Sequence, residues 1–256
     1  MYFYSLIKLI KAKISKQTQI DSLYCAHFHN IISNVIISHN RDIKIIYIQD
    51  GLSNYIKDDF VNINLYFKMI IKKILLSFFG YKYTPYKGHK NGYNQFYSDK
   101  LICFDGDGIF FPNGKVIPIS NCFRKDQNLK KLVIFFDQPI NEIARDTKEY
   151  YNKVKIEMLN LANSGCDLII KPHVRSNKKK LKSTFLNFNY EWLKSQESGE
   201  EIIIKKNPSV IISFNSTVLL NAKIINKKIN AISVSKGMPF SAKYANLFRQ
   251  RNIHII

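Results

Sequence analysis

The chain has 256 residues, which is enough for one large or two ordinary domains. Hydrophobic residues make up 46% of it and aromatic residues 13%, so it can bury a sizeable core and is not a disordered protein. The formal net charge is +20. The basic residues do not gather into a recognition helix, a zinc finger or an aromatic RNA-binding strand, which argues against nucleic acid as the partner.

The excess positive charge has two open explanations. Lys, Ile and Asn are abundant throughout the chain, so part of the excess can be drift on solvated faces. Alternatively, the charge attracts the protein to anionic substrates or to anionic lipid at the inner membrane surface.

The lack of a recognisable targeting signal and the spacing of the cysteines indicate a reducing compartment. The N-terminal segment Met1–Lys16 carries four lysines and no cleavage site, and the apolar stretch Met69–Phe79 is interrupted by Lys72 and Lys73. The four cysteines are widely separated and form no C-x-x-C pair, as expected for reduced, buried thiols. We therefore expect a cytoplasmic protein, either free or peripheral on the inner membrane.

Short apolar runs alternate along the chain with longer amphipathic segments. Strands are predicted at Lys44–Ile48, Leu132–Phe136, Asp167–Ile170, Val210–Ser213 and Ile229–Val234. Helices are predicted at His27–Ser38, Asn64–Phe79, Asn141–Ser164 and Ser216–Asn226. This alternation predicts an α/β fold with parallel sheets. Turn residues and a polar run between residues 100 and 131 predict a boundary, with domains at 1–125 and 126–256.

The first of three polar motifs follows the strand Lys44–Ile48. Ligands of parallel sheets collect past the carboxyl ends of the strands, which directs attention to such positions. Here the strand runs into Gln49-Asp50-Gly51, where Gly51 permits a tight turn that holds Asp50 at the sheet edge. A carboxylate placed there can act as general base on a sugar hydroxyl. An ordinary Asp-Gly turn is the other interpretation.

The second motif, Lys171-Pro172-His173-Val174-Arg175, follows the strand Asp167–Ile170. Pro172 ends the strand pairing and directs His173 out of the sheet. The cations of Lys171, His173 and Arg175 would bind a phosphate, and His173 can donate a proton to a leaving nucleotide. A basic surface turn is the alternative.

The third motif, Ser213 to Thr217, joins a predicted strand to a predicted helix. Ser or Thr immediately before a helix is a capping signal. The backbone N–H groups at such a helix start, with hydroxyls beside them, form an anion site. The alternative is an N-cap with no ligand.

Together, in this order, the motifs resemble those of the family-52 bacterial glycosyltransferases, the lipooligosaccharide sialyltransferases, and more distantly those of the capsular polysialyltransferases. The counterparts are Gln49–Gly51, Lys171–Arg175 and Ser213–Thr217. The run Val133–Pro139 is similar to the strand and Gln-Pro turn that open the family's second domain, and Glu200-Glu201 lies where the family often has an acidic residue. The resemblance covers roughly residues 20–256.

The resemblance implies a GT-B architecture of two Rossmann-like domains, of which the first, 1–125, is incomplete. That domain would bind the acceptor, and the second, 126–256, would bind the nucleotide sugar. The implied donor is CMP-sialic acid, and the acceptor is a terminal sugar of lipooligosaccharide or capsule. Transfer would invert the anomeric centre and need neither a cofactor nor a metal.

The resemblance also assigns roles to single residues. Asp50 is the candidate base, with Glu142 near the Gln-Pro turn as a rival, and His173 is the acid or phosphate ligand. Gly51 makes the turn after Asp50. The residues that would bind the donor are Lys171, Pro172, Arg175, Glu201, Ser213, Ser216 and Thr217.

The chain departs from the family pattern at three points. Gln49 replaces an acidic residue, Val174 replaces a proline, and only about twenty residues precede Leu23, where the family has a strand-rich stretch. We therefore expect an N-terminally truncated first domain that lacks its opening strands. Two alternatives stay open: a hexosyl- or glycerophosphotransferase with another nucleotide donor, and an inactive remnant.

Overall fold

A computed structural model describes residues 20–256 except 41, 50, 94, 95, 97, 99, 113, 121–127, 143, 145, 146, 187, 195 and 240. The chain divides into two compact units, Met1–Ile119 and Ser120–Ile256. The segment Met1–Lys16 and the candidate base Asp50 lie outside the described residues.

The first unit contains a parallel sheet of four strands in the order β1-β2-β3-β4. The strands are β1 (Ser22–Cys25), β2 (Lys44–Ile48), β3 (Lys100–Cys103) and β4 (Lys115–Pro118). The helices are α1 (Ile31–His39), α2 (Ile63–Ser77) and a 3-10 helix (Gly51–Tyr55). Asn30 and Asn62 begin α1 and α2, since each side chain accepts hydrogen bonds from backbone N–H groups of the first turn.

Aromatic side chains form the core of the first unit. The ring of Tyr47, on β2, is wholly buried and lies edge-on to Phe28 and Tyr93, with centroid distances of 5.3 and 4.8 Å. The hydroxyl of Tyr93 accepts a hydrogen bond from Asn91 at 3.0 Å, and the side-chain amide of Asn54 also donates to it. The core is therefore anchored to the 3-10 helix that follows β2.

The second unit contains a parallel sheet of six strands in the order β10-β9-β8-β5-β6-β7. The strands are β5 (Lys130–Phe136), β6 (Asp167–Lys171), β7 (Glu191–Trp192), β8 (Pro208–Ser213), β9 (Asn230–Ser233) and β10 (Ile253–Ile255). The helices are α3 (Thr147–Asn163), α4 (Lys178–Thr184), α5 (Gly199–Lys206), α6 (Thr217–Ile225) and α7 (Ser241–Gln250), with a 3-10 helix at Ile140–Glu142.

The strand order makes the second unit doubly wound. The chain starts in the middle of the sheet at β5, proceeds to β7 at one edge, and returns to β8 on the other side of β5. It then continues to β10 at the opposite edge. This is the order of a Rossmann fold, and the place where its direction reverses is between β5 and β8.

These sheets confirm the predicted α/β class with Rossmann-like units. The predicted strand Lys44–Ile48 matches β2, and the other four predicted strands coincide with β5, β6, β8 and β9 to within two residues at either end. The helix predicted from Asn141 begins only at Thr147, because a 3-10 helix precedes it. The GT-B arrangement and the acceptor and donor roles of 1–125 and 126–256 stay predictions.

The sequence predicted no membrane-spanning helix and predicted reduced, buried cysteines. No helix in the described part of the chain is long and apolar enough to cross a bilayer. Cys25 and Cys103 are buried free thiols. Burial raises the pKa of Cys25 to about 12 and, with a contribution from Asp105, that of Cys103 to about 11, so both are unreactive at neutral pH.

A glycine at the core of the first unit is expected to be irreplaceable. Gly92 has φ +83°, and a Cβ added to it would lie 2.5 Å from Cδ2 of Phe28. Gly80 has φ +75°, but a Cβ added to it would have no neighbour within 4 Å. A substitution at Gly80 therefore measures the cost of the backbone conformation alone. We expect Gly80→Ala to lower the free energy of unfolding by about 1–2 kcal/mol and Gly92→Ala by about 2–5 kcal/mol. Urea denaturation measures both, and equal losses would contradict the packing of Phe28 on Gly92.

Candidate functional site

A cavity of about 710 Å³ opens at the carboxyl ends of the central strands of the second unit. It is lined by the residues that end β5, β6 and β7 and by the first residues of α5 and α6. Its volume is in the range of ordinary small-molecule sites, about 300–1,000 Å³. Because β5 and β8 are adjacent and the chain leaves them in opposite directions, a crevice forms between the segments that follow them.

Ser213 holds the two strands together at the floor of this crevice. Its hydroxyl donates a hydrogen bond to the carbonyl oxygen of Phe136 at 2.8 Å, and the residue is wholly buried. Ser213, predicted to bind the donor, is therefore placed as a link between β8 and β5 and is not part of the cavity wall.

The end of β6 supplies cationic side chains to the cavity. Lys171 pairs in register with Phe136, and its carbonyl oxygen accepts from the backbone N–H of Asp137 at 2.9 Å. Pro172 is buried, whereas Lys171 and His173 are half-buried, and all three line the cavity. Burial, followed by the nearby charge of Lys178, lowers the pKa of Lys171, although Glu197 opposes this.

The turn after Pro172 fixes the imidazole of His173. The backbone N–H of Arg175 donates to Nδ1 of His173 at 3.2 Å, and the N–H of Ser176 donates to the carbonyl oxygen of His173 at 3.0 Å. Since Nδ1 accepts, the neutral ring carries its proton on Nε2 and can act as a donor there. Arg175 itself is exposed and outside the cavity wall, so its contribution to this turn is its backbone N–H.

The start of α6 forms the opposite wall. Ser216 is the N-cap, and its Oγ accepts from the backbone N–H of Val218 at 3.3 Å and from the side-chain amide of Gln138 at 3.3 Å. Ser216 and Thr217 both line the cavity. A helix start presents unpaired N–H groups and the positive end of the helix dipole, which together attract an anion.

The two acidic residues at the start of α5 have different surroundings. Glu201 accepts from the backbone N–H of Ser198 at 2.9 Å, while the Ser198 hydroxyl accepts from the N–H of Glu201 at 3.2 Å. This capping box gives Glu201 a structural role in beginning α5. Glu200 lines the cavity, where its carboxylate accepts from Asn221 at 2.7 Å.

Three other predicted residues are not brought to this cavity by the described structure. Asp50 lies outside the described residues. Gly51 has φ +69°, consistent with the predicted turn, and begins a 3-10 helix. Glu142 ends the 3-10 helix Ile140–Glu142, and its side chain is not part of the described structure.

Asp137 is a residue of the cavity wall that the sequence motifs did not include. It follows β5 and lines the cavity, is 2% exposed, and accepts from the hydroxyl of Tyr151 at 2.8 Å through Oδ1. Within the described residues its Oδ2 atom is buried without a hydrogen-bond partner. Burial raises the pKa of Asp137 above its ordinary value, and hydrogen bonds, among them that from Tyr151, oppose the rise. The signal available in the sequence was its position directly after an apolar strand.

Metal-binding geometry is not found at this cavity or elsewhere in the described part of the chain, where no three His, Cys, Asp or Glu side chains come close enough to hold an ion. The predicted independence from metal stays a prediction.

The second unit is thus a Rossmann-like α/β unit with a cavity at its switch point, and that cavity is lined by both lysines and carboxylates. Over residues 2–235 the chain matches the alpha-2,8-polysialyltransferase (POLYST) family, and it belongs to that family. It is therefore a glycosyltransferase of the sialyltransferase type, which uses a nucleotide-sugar donor and a glycan acceptor. No curated protein matches the chain.

This result confirms the broader part of the predicted resemblance, namely a sialyltransferase-type enzyme related to the polysialyltransferases. The narrower placement among the lipooligosaccharide sialyltransferases and the truncation of the first domain stay predictions.

The capping box predicts a purely structural effect of Glu201. Glu201→Ala and Ser198→Ala should each lower the free energy of unfolding by about 0.5–2 kcal/mol. The double variant should lose less than the sum, because both changes break one reciprocal arrangement. Calorimetric titration should show unchanged CMP affinity for all three variants. A loss of CMP affinity of about ten-fold or more in Glu201→Ala alone would instead place Glu201 in the donor site.

The raised pKa of Asp137 predicts a pH-dependent cost to stability. Between the ordinary carboxyl pKa and the raised one, the folded protein holds a proton that the unfolded chain has lost, so stability falls as pH rises through this window. Asp137→Asn removes the cost and keeps an acceptor for Tyr151. We expect this variant to melt higher than the wild type at neutral pH and equally below about pH 4. Asp167→Asn, at an exposed position, is the control; an Asp137→Asn difference that is independent of pH would contradict the assignment.

Proposed function

We propose that this enzyme transfers sialic acid from CMP-sialic acid to the terminal sialic acid of a glycan and forms an α2,8 linkage. The family description supports the linkage and the acceptor. One observation supports a donor site here: Lys171, His173 and the capped start of α6 line the same cavity. These are the groups that a phosphate joined to a nucleoside and a sugar requires.

In this proposal the bond between the anomeric carbon of the sugar and the CMP phosphate oxygen breaks, and the phosphate gains negative charge. Lys171 and the N–H groups at the start of α6 stabilise that charge. His173 donates to the leaving oxygen through Nε2, as a hydrogen bond from the neutral ring or as a proton from the imidazolium. A single displacement by the acceptor hydroxyl inverts the anomeric centre. Because protein groups neutralise the phosphate, the reaction requires no metal ion.

The acceptor hydroxyl must lose its proton to a base. Asp50, on the first unit, and Glu142, on the second, are the two candidates that the motifs identified. Asp137 joins them as the buried carboxylate on the wall of the cavity, since burial raises its pKa and makes it a stronger base than an exposed carboxylate. The first unit would bind the acceptor and the second the donor, as in a GT-B enzyme.

His173 provides the test of the proposed chemistry. We expect His173→Ala to slow CMP release from CMP-sialic acid by about 100-fold or more, because a positioned proton donor is lost. The melting temperature should be unchanged, since the half-buried ring lies at the cavity and not in the core. Lys179→Ala, an exposed cation on α4 outside the cavity wall, is the matched control and should retain activity. An active His173→Ala variant, or one that unfolds, would contradict the proposed role.

The same assay separates the proposed substrate from its rivals. We expect the enzyme to transfer sialic acid to an acceptor that ends in sialic acid. Preference for a galactose-terminated acceptor would instead indicate an enzyme of lipooligosaccharide synthesis. Titration with CMP, UDP and CDP identifies a hexosyl- or glycerophosphotransferase by its preference for another nucleotide. Nucleotide binding without turnover on any acceptor would indicate an inactive remnant. Addition of EDTA should leave turnover unchanged.

A further inference from the structure

The helix α2 of the first unit has an apolar surface on the side that faces away from the core. Met69 and Leu76 are wholly buried against the core of the unit. On the same helix, Ile63 is 80% exposed and Phe67 66%, and Phe78, at the helix end, is 80% exposed. In the described part of the chain fifteen large hydrophobic side chains are exposed, and eight of them lie within residues 60–79. The exposed apolar surface is therefore concentrated on one element.

The exposed side chains form one continuous stripe. At about 100° per residue, they fall within an arc of about 120°, roughly opposite Met69 and Leu76. The stripe is made up of Ile63, Phe67, Ile71, Ile74, Leu75 and Phe78. A contiguous apolar surface of this kind on a globular unit marks an interaction site.

Lysines border this apolar stripe on both sides. By the same helical spacing, Lys68 and Lys72 lie about 20° and about 60° beyond one edge of the stripe, and Lys73 lies about 80° beyond the other. Residues 60–98 contain six lysines and neither Asp nor Glu. An apolar face with a lysine border and no acidic residue is the pattern of a helix that lies in the surface of a membrane.

We propose that α2 docks the protein on an anionic lipid bilayer, with the stripe inserted among the acyl chains and the lysines on the lipid headgroups. Charge complementarity favours this occupant over a second copy of the chain. Two copies packed through this face would bring their lysines together with no acidic residue of the segment to pair them. Anionic headgroups supply the missing countercharge. The proposal is independent of the transferase chemistry.

Flotation with lipid vesicles tests the docking surface on the full chain. The wild type should bind vesicles of phosphatidylglycerol and phosphatidylcholine about ten-fold or more tightly than vesicles of phosphatidylcholine alone, and the difference should shrink as salt is raised. The variant Phe67→Gln/Ile71→Gln/Phe78→Gln should lose about ten-fold or more of this binding. Lys68→Gln/Lys73→Gln should weaken binding to the anionic vesicles only.

A matched control changes exposed apolar residues of the second unit. Ile156→Gln/Leu159→Gln/Leu186→Gln alters three exposed side chains outside the stripe and should bind vesicles within about two-fold of the wild type. Thermal melts confirm that each variant is folded, and release of CMP with a soluble acceptor should be the same for both triple variants. Retained vesicle binding by the α2 variant would overturn the proposal. So would a shift of the α2 variant from dimer to monomer in gel filtration without a change in vesicle binding, because the face would then join two copies.

Discussion

The strand order of the second unit is the constraint on which its site depends. With β5 and β8 adjacent and the chain departing from them in opposite directions, the segments after both strands border one crevice. The buried hydroxyl of Ser213, bonded to the carbonyl oxygen of Phe136, fixes the two strand ends at that point. As a result, the same cavity is lined by Lys171, His173 and the start of α6. Distant parts of the sequence are combined by topology rather than by any local motif.

Much of the fold could be predicted because buried parallel strands leave a strong pattern. The runs ending at Ile48, Phe136 and Ser213 are continuously apolar and bounded by turn residues, so the strands were located to within two residues. The strands β1, β3, β4, β7 and β10 were missed because each has four residues or fewer and at least half of its side chains are partly or fully exposed. The helices α4 and α5 are short and rich in charged residues, which gave no clear apolar period. The helix α7 was also missed, although it is amphipathic.

The residues predicted directly after strands line the cavity, whereas some of those predicted elsewhere in the motifs form hydrogen bonds with the backbone instead. Lys171, His173 and Ser216 follow strands directly, and topology brings them together. Ser213 and Glu201 are residue types common in binding sites, but the structure gives both of them backbone partners. Ser213 bonds the carbonyl oxygen of Phe136, which is far away in the sequence, and Glu201 completes a capping box with Ser198. Asp137 was missed because a single carboxylate after a strand is common, and only its burial beside Tyr151 distinguishes it.

The central claim is that the second unit binds the donor nucleotide at its switch point. Amide hydrogen exchange of the full chain, with and without saturating CMP, tests this directly because it reports where the nucleotide orders the backbone. The account predicts slower exchange in residues 171–176 and 216–219, with little change at the opposite end of the sheet in residues 164–167. CMP-dependent protection confined to other parts of the chain, or none at saturating CMP, would contradict it.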